Sequence, residues 1–361
     1  MRVGLVTKWF ASGQAVVSRY VRSALEELGH ETFVLAREGT GPRSGVSNRV
    51  VDPIWDQPGV TETGESDVPL ETYRAWVADN SIDVVMADNL YAFSELAALR
   101  GDGVRTVGRF VWEHFSSEHV AGATEAFDVV YSLHRGERER YAELGIESPY
   151  VPWGCHPELL AVEPDCAEDG LVRLLLPGSF MGRRKPLAEV LEAFSQTRDD
   201  RLRLIIKGQT HKKEGKLAKS VERDSRIQVL IEDQPTDQHL RFVAGCDVCL
   251  SPTRWEGLGL PLYEALAFGQ PAITNDNAPM NEAVTDGVNG LLVSAEVEGT
   301  ARSGIPSWSP NPAELARAME RIADDELRAT LARGARELRE GERSWSHTVR
   351  GYGELLDRVA R

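Results

Sequence analysis

Short apolar runs recur along the chain, and several are followed by a glycine-containing turn and then by apolar positions spaced three and four apart. A run of four to eight apolar residues followed by such a stripe reads as a strand and then a helix. The first run is residues 3–6. Ala11, Ser12, Gly13 and Gln14 then form a loop, and Val17, Val21, Ala24, Leu25 and Leu28 line one face of a helix that Gly29 can stop. Residues 32–36 are the next strand. This β-α-β order implies a parallel sheet with ligands at the strand ends. Further strands are expected at 81–87, 106–111 and 128–132, with a helix at 136–144 closed by Gly145. The second half repeats the theme, with strands at 171–176, 202–206, 227–231, 248–251 and 271–274 and a helix at 313–322. Tyr352, Leu355, Leu356 and Val359 fall at i, i+3, i+4 and i+7, an amphipathic helix at the end of the chain. Residues 40–70 are rich in Gly, Pro, Ser and acid and read as loops. Residues 163–170 are polar and acidic and read as a linker, and 295–311 read as an inserted surface loop.

Composition changes this picture in a few places. The length of 361 residues favours two domains. A net charge of −15 argues against general nucleic-acid binding, so a site for an anion has to be built locally. No apolar run reaches 18 residues, and residues 1–7 lead straight into the strand pattern, so neither a membrane span nor a signal peptide is expected and a cytoplasmic location fits. Four scattered cysteines are too few for a disulfide framework. Cys246 and Cys249 sit in an apolar strand pattern and read as buried cysteines, not as a zinc or redox pair.

The candidate chemistry concentrates in residues 254–289. Glu256 and Glu264 lie eight positions apart around the turn Gly257, Leu258, Gly259. Pro261 can open a helix there, and Gly269 can close it in the left-handed conformation. A helix N-terminus behind a small-residue loop offers unpaired N–H groups and a positive dipole end to a phosphate. An ionised carboxylate only accepts hydrogen bonds and suits the paired hydroxyls of a sugar. Glu256, before the loop, and Glu264, expected in the first helical turn, are read as grips on two sugars; both carboxylates also suit a helix dipole. Arg183, Arg184 and Lys185 stand together in an acidic chain at a strand-to-helix junction, where they would meet a diphosphate. There is no D-x-D sequence, so these cations, not a metal, are expected to neutralise it. No G-x-G-x-x-G is present, which argues against a nicotinamide or flavin site.

The run from Glu256 to Ile273 resembles the signature of glycosyltransferase family 4, E-G-F-G-L-P-x-x-E-A-M-A-x-G-x-P-V-I, in the glycogen-synthase and mannosyltransferase-like superfamily. The resemblance implies an α/β fold of two Rossmann-like domains (GT-B) facing a central cleft, with a C-terminal helix crossing back to the N-terminal domain. The expected boundaries are 1–160 for the acceptor domain, 170–342 for the donor domain and 343–361 for the helix. It implies a retaining, metal-independent glycosyltransferase whose co-substrate is a UDP- or GDP-sugar and which needs no further cofactor. Its partners would be a small-molecule donor and acceptor, with peripheral membrane contact if the acceptor is a lipid. Catalytic roles are implied for His114 (with Glu113 as understudy), Glu256, Lys185 and Arg183. Donor contacts are implied for Gly13, Arg184, Gly257, Leu258, Gly259 and Glu264. The family's first N-terminal glycine is Ser12 here, and Ser179 stands where its arginine is usual, so Arg183 or Arg184 must substitute. In the run S-P-Y-V-P-W-G-C-H-P-E, Trp153, Cys155 and His156 replace the family's Asn, Val and Asp. Two other readings remain: a sugar-nucleotide-binding subunit without turnover, and an epimerase of the same architecture.

Overall fold

In the computed structural model, which describes residues 1–38, 52–179, 182–208 and 214–360, the apolar runs become two parallel sheets of six strands each. The chain divides into two compact units, Met1–Trp153 with Ser346–Arg361, and Gly154–Trp345. Residues 163–170 lie inside the second unit rather than between the two.

The first unit runs β1 (Arg2–Thr7), α1 (Gly13–Glu27), β2 (Glu31–Ala36), β3 (Val60–Glu62), α2 (Leu70–Asn80), β4 (Val84–Asp88), α3 (Phe93–Gly101), β5 (Arg105–Arg109), α4 (Val120–Ala126), β6 (Val129–Val130) and α5 (Arg135–Glu143). Its sheet order is β3-β2-β1-β4-β5-β6. The loop reading of 40–70 is corrected for its described part: β3 adds an edge strand, pairing Val34 with Val60, and residues 53–55 form a 3-10 turn. Three residues are too few to show a period, so the strand left no pattern to read. Residues 40–51 of that stretch lie outside the described residues.

The second unit runs α6 (Pro157–Leu160), β7 (Val172–Ser179), α7 (Leu187–Ser195), β8 (Leu202–Gly208), α8 (Glu214–Arg223), β9 (Ile227–Ile231), α9 (Thr236–Ala244), β10 (Val248–Leu250), α10 (Leu260–Phe268), β11 (Ala272–Asn275), α11 (Met280–Ala283), β12 (Gly290–Val293), β13 (Ala295–Thr300), β14 (Pro306–Pro310), α12 (Pro312–Ile322) and α13 (Asp325–Glu340). Its sheet order is β12-β11-β10-β7-β8-β9. Each sheet, numbered within its own unit, therefore has the doubly wound order 3-2-1-4-5-6, with helices on both faces. The strands read as continuous apolar runs because both faces are covered. Leu174, Leu176, Leu204, Ile206, Val248, Leu250 and Ile273 fill one such core with Phe194 and Met319.

Residues 295–311 are not an irregular loop: β13 and β14 form an antiparallel hairpin with Ala295 opposite Pro310. Its outer strand is largely exposed and polar, so hydrophobic alternation did not announce it. The final helix, α14 (Trp345–Ala360), buries Tyr352, Leu355, Leu356 and Val359, the four positions its spacing marks. It packs within the first unit, where the Thr348 hydroxyl donates to the Pro152 carbonyl at 2.8 Å and the Tyr352 hydroxyl to that of Tyr131 at 3.4 Å. Among the described residues no helix is long and apolar enough to cross a membrane.

Candidate functional site

Doubly wound sheets bind ligands outside the carboxyl ends of their strands, where the strand order reverses. In the second unit that point lies between β7 and β10. The loop after β7 carries Arg183, Arg184 and Lys185, and the loop after β10 carries Glu256 to Gly259. The fold thus brings together two stretches some seventy residues apart that the sequence singles out separately.

Their contact is an ion cluster. Lys185 Nζ donates to Glu256 Oε1 at 2.9 Å, and Arg184 Nη1 lies 3.3 Å from Glu256 Oε2. The Lys185 and Glu256 side chains are 5% and 8% exposed. Burial alone would raise the Glu256 pKa, but Lys185 and Arg184, helped by Thr253, hold it below the ordinary carboxylate value. Burial lowers the Lys185 pKa, against the pull of Glu256. Arg183 is exposed and turns the other way: a Cβ placed on Gly299 of the hairpin would stand 3.6 Å from its guanidinium. Of the two arginines, it is Arg184 that reaches Glu256. Phe180 and Met181 lie outside the described residues, as does the side chain of Ser179.

Gly259 has φ +83°, a left-handed conformation that glycine adopts without strain, and it turns the chain into α10. No side chain caps this helix and no acidic residue lies in its first turn; Pro261 has no N–H to offer, and the Leu262 amide donates to the Gly259 carbonyl at 2.9 Å. Leu258 is buried and helps anchor the turn. Glu264 is the fifth residue of α10, which corrects the first-turn expectation: the helix begins at Leu260, so the carboxylate falls at the start of the second turn. No hydrogen bond or ion pair engages it among the described residues, and burial raises its pKa to about 7. Gly269 closes the helix with φ +71°.

Arg254, which sequence reasoning assigned no role, ties the site together. Its amide donates to the Arg184 carbonyl at 2.9 Å, and its carbonyl accepts the Trp308 amide at 3.0 Å. Its guanidinium pairs with Glu189 of α7 and, at 3.4 Å, with Glu298 of the hairpin. Nothing in local sequence links positions 254, 189 and 298, so only the fold reveals the connection.

Gly13 and His114 belong to the first unit. Gly13 opens α1 after Ser12, whose hydroxyl caps the Ala15 amide at 3.4 Å. His114 stands in the turn after β5, its side chain 53% exposed and its Nε2 3.7 Å from Glu113 Oε1. His156 is structural: its Nδ1 accepts the Glu158 amide at 3.2 Å and its ring meets Trp345 edge-on. Cys246 and Cys249 are buried, and among the described residues no cluster of ligating side chains could hold a metal.

Residues 178–338 match the family model for glycosyl transferases group 1. That match lies within the second unit, which is similar to the domain this family model describes. Curated relatives match part of the chain. An uncharacterized glycosyltransferase of Methanocaldococcus jannaschii is 30% identical over 155 residues, 40% of either chain. A D-inositol 3-phosphate glycosyltransferase of Acidothermus cellulolyticus is 32% identical over 128 residues, 35% of this chain and 25% of that one. The matched stretches thus span less than half of those relatives. Among solved structures, sucrose-phosphate synthase of Thermosynechococcus elongatus superposes with a TM-score of 0.75 at 17% identity over 99% of both chains. The Anabaena protein HepE, solved in complex with UDP, does so with a TM-score of 0.73 at 16% identity over 99% of both. The chain therefore has the two-domain GT-B fold of these structures.

Proposed function

We propose that the chain is a retaining glycosyltransferase that moves a sugar from a nucleotide diphosphate-sugar to an acceptor hydroxyl. The observation that carries this reading is the arrangement at the β7–β10 switch point: a buried carboxylate held between two cations, beside an uncapped helix N-terminus and an unpaired carboxylate one turn further in. In this reading Glu264 grips the ribose diol and the α10 N-terminus and the Gly257–Leu258–Gly259 backbone receive the diphosphate. Arg184 and Lys185, with Arg183 at the rim, neutralise it, so that charge needs no metal bridge. Glu256 holds a hydroxyl of the transferred sugar. When donor binds, the two cations divide their attention between Glu256 and the phosphates. HepE, with the same fold, was solved with UDP and with UDP-glucose, which supports a nucleotide-sugar as donor.

The reaction breaks the bond from the anomeric carbon to the diphosphate oxygen and forms one to the acceptor oxygen. Retention requires attack from the face the phosphate leaves. The departing phosphate oxygen is then the nearest base, and it takes the acceptor hydroxyl's proton. Cations fixed at that oxygen stabilise the charge that develops there, and losing one such group typically costs about 100-fold or more in rate. In the first unit the proposed roles are a donor contact for Gly13 and, for His114, donation to a sugar or acceptor hydroxyl.

The test is nucleotide release from a panel of UDP-, GDP- and ADP-sugars by wild type and Glu256→Ala. Slow hydrolysis of one donor, lost in the variant, supports the transferase and names the donor. Binding without release, persisting when acceptors are supplied, favours a non-catalytic sugar-nucleotide-binding subunit. No binding of any donor sinks the reading.

A further inference from the structure

Because the two sheets share one strand order, the first unit has its own switch point, between β1 and β4. Lys8 follows β1 directly, Arg37 follows β2, Asp88 ends β4 and Asn89 follows it. The register brings these ends level. Thr7 pairs with Ala36 and Val6 with Ala87, and the Arg37 amide donates to the Thr7 carbonyl at 2.9 Å. We propose that Lys8 and Arg37 form a site for an anionic group, a phosphomonoester or a carboxylate, carried by the acceptor; the acceptor assignment rests on the transferase reading above.

The argument is one of unspent charge. Arg37 is 9% exposed, and its one hydrogen bond to the described residues, apart from its amide, runs from Nη2 to the Asn89 carbonyl at 3.0 Å. Among the described residues its Nε is buried without a hydrogen-bond partner, and so are the Tyr73 hydroxyl and Asp88 Oδ2, both on residues that act electrostatically on Arg37. Native folds rarely leave buried polar atoms unmatched; the Arg37 Nε–H and the Tyr73 hydroxyl are donors that an anion can use, whereas Asp88 Oδ2 is an acceptor and takes no part in holding it. Asp88 is not a counter-ion in waiting, since its Oδ1 is held by Arg109 at 3.1 Å. Asp67 acts on Arg37 only at longer range. Lys8 is partly buried and has no hydrogen bond or ion pair among the described residues. Burial and the nearby Arg37 lower its pKa, with Asp88 opposing them more weakly. Among the described residues no carboxylate lies in ion-pair range of Lys8 or Arg37, Asp88 acting on both only at longer range, and two desolvated like charges so placed are costly unless an anion joins them. Asn89 supports the arrangement: its φ of +48° is left-handed, uncommon outside glycine, and its carbonyl meets Arg37. Arg37 offers a fork and Lys8 a point charge, the pairing that suits a tetrahedral or planar oxyanion.

The test uses the full chain with its lysines labelled by reductive 13C-methylation, which keeps their charge, and Lys8→Arg to assign the Lys8 signal by its loss. Inorganic phosphate and acetate are titrated separately at constant ionic strength against chloride. The Lys8 signal should move saturably with one of them, phosphate marking a phosphomonoester and acetate a carboxylate. Arg37→Gln should weaken that response on the order of tenfold or more. Since the buried arginine variant can fail to fold, Lys8→Gln provides a second arm: the rise in Tm that the active anion gives wild type should vanish in it. A Lys8 signal indifferent to both anions overturns the site, and so does a Tm rise unchanged in Lys8→Gln. Either result in a protein that still releases nucleotide from its donor leaves the transferase standing. A saturable Lys8 response in a protein that binds no donor keeps the anion site and removes its acceptor meaning.

Discussion

Glu256→Met removes the carboxylate that Lys185 and Arg184 share. At 2.9 Å the attraction between Lys185 and Glu256 is about 6 kcal/mol at an effective dielectric of 20. The Arg184 contact contributes less than its 3.3 Å suggests, because 31% of that side chain faces water and screening weakens it. Desolvation of the two buried ions offsets most of the gain, so the pair as a whole is close to neutral for stability. Its two halves are not equivalent. Without Glu256, Lys185, 5% exposed, loses the carboxylate it pairs with while Arg184 stays beside it, a loss of about 3–5 kcal/mol. Without Lys185, Glu256 keeps Arg184 and Thr253, and Lys185→Met should cost about 1–3 kcal/mol. The double variant Lys185→Met/Glu256→Met should be no less stable than Glu256→Met alone. Urea unfolding followed by circular dichroism, with ΔG taken from midpoint and slope, measures all three. If the single effects add to within about 0.5 kcal/mol, the cluster is not formed in solution and the site has been built on the wrong contact. A Lys185→Met loss larger than that of Glu256→Met would refute the asymmetry.

Burial raises Glu264 from its ordinary 4.5 to about 7, so the folded state keeps a proton that the unfolded chain releases, and stability falls as pH rises across that window. His239, lowered to about 4 by burial and by Lys207, acts oppositely, its contribution being lost as pH falls from about 6.5. Glu264→Gln should therefore gain on wild type between pH 4.5 and 7, by at most about 3 kcal/mol, while wild type stays flatter; parallel profiles in thermal melts would count against it. Arg254→Gln loses the pairs to Glu189 and Glu298 and loosens the loop that places Arg184. With far-ultraviolet dichroism unchanged, kcat/KM for donor release should fall about tenfold, and an unaltered kcat/KM removes Arg254 from the site's support. Gly334 of α13 packs against backbone: a Cβ there would lie 2.0 Å from the Val288 carbonyl oxygen, so Gly334→Ala should destabilise by about 3 kcal/mol in the same urea assay, and a loss under about 0.5 kcal/mol would mean that α13 shifts easily.

Local order was legible in the sequence wherever a period repeats often enough to show. The buried strands β1, β7, β8 and β10, the helix α1 with Gly29 after it, and the spacing of Tyr352, Leu355, Leu356 and Val359 in α14 are set by patterns within a few residues. The turn at Gly259 and the stop at Gly269 are likewise chosen by chain stereochemistry, and both glycines are left-handed. The helix α13 went unread because its positions are mostly charged and only Leu331, Gly334 and Ala335 are buried, too few for an apolar stripe. The same limit hid β3 and the β13–β14 hairpin. What only the tertiary structure decided is which distant charges meet. Sequence placed Arg183, Arg184 and Lys185 in one loop and Glu256 in another. Strand order alone makes β7 and β10 neighbours, so that Arg184 and Lys185 close on Glu256 while Arg183 turns to the hairpin. The same topology sets Lys8 beside Arg37, residues that no motif connects, because parallel strands pair by register in space and not by distance along the chain.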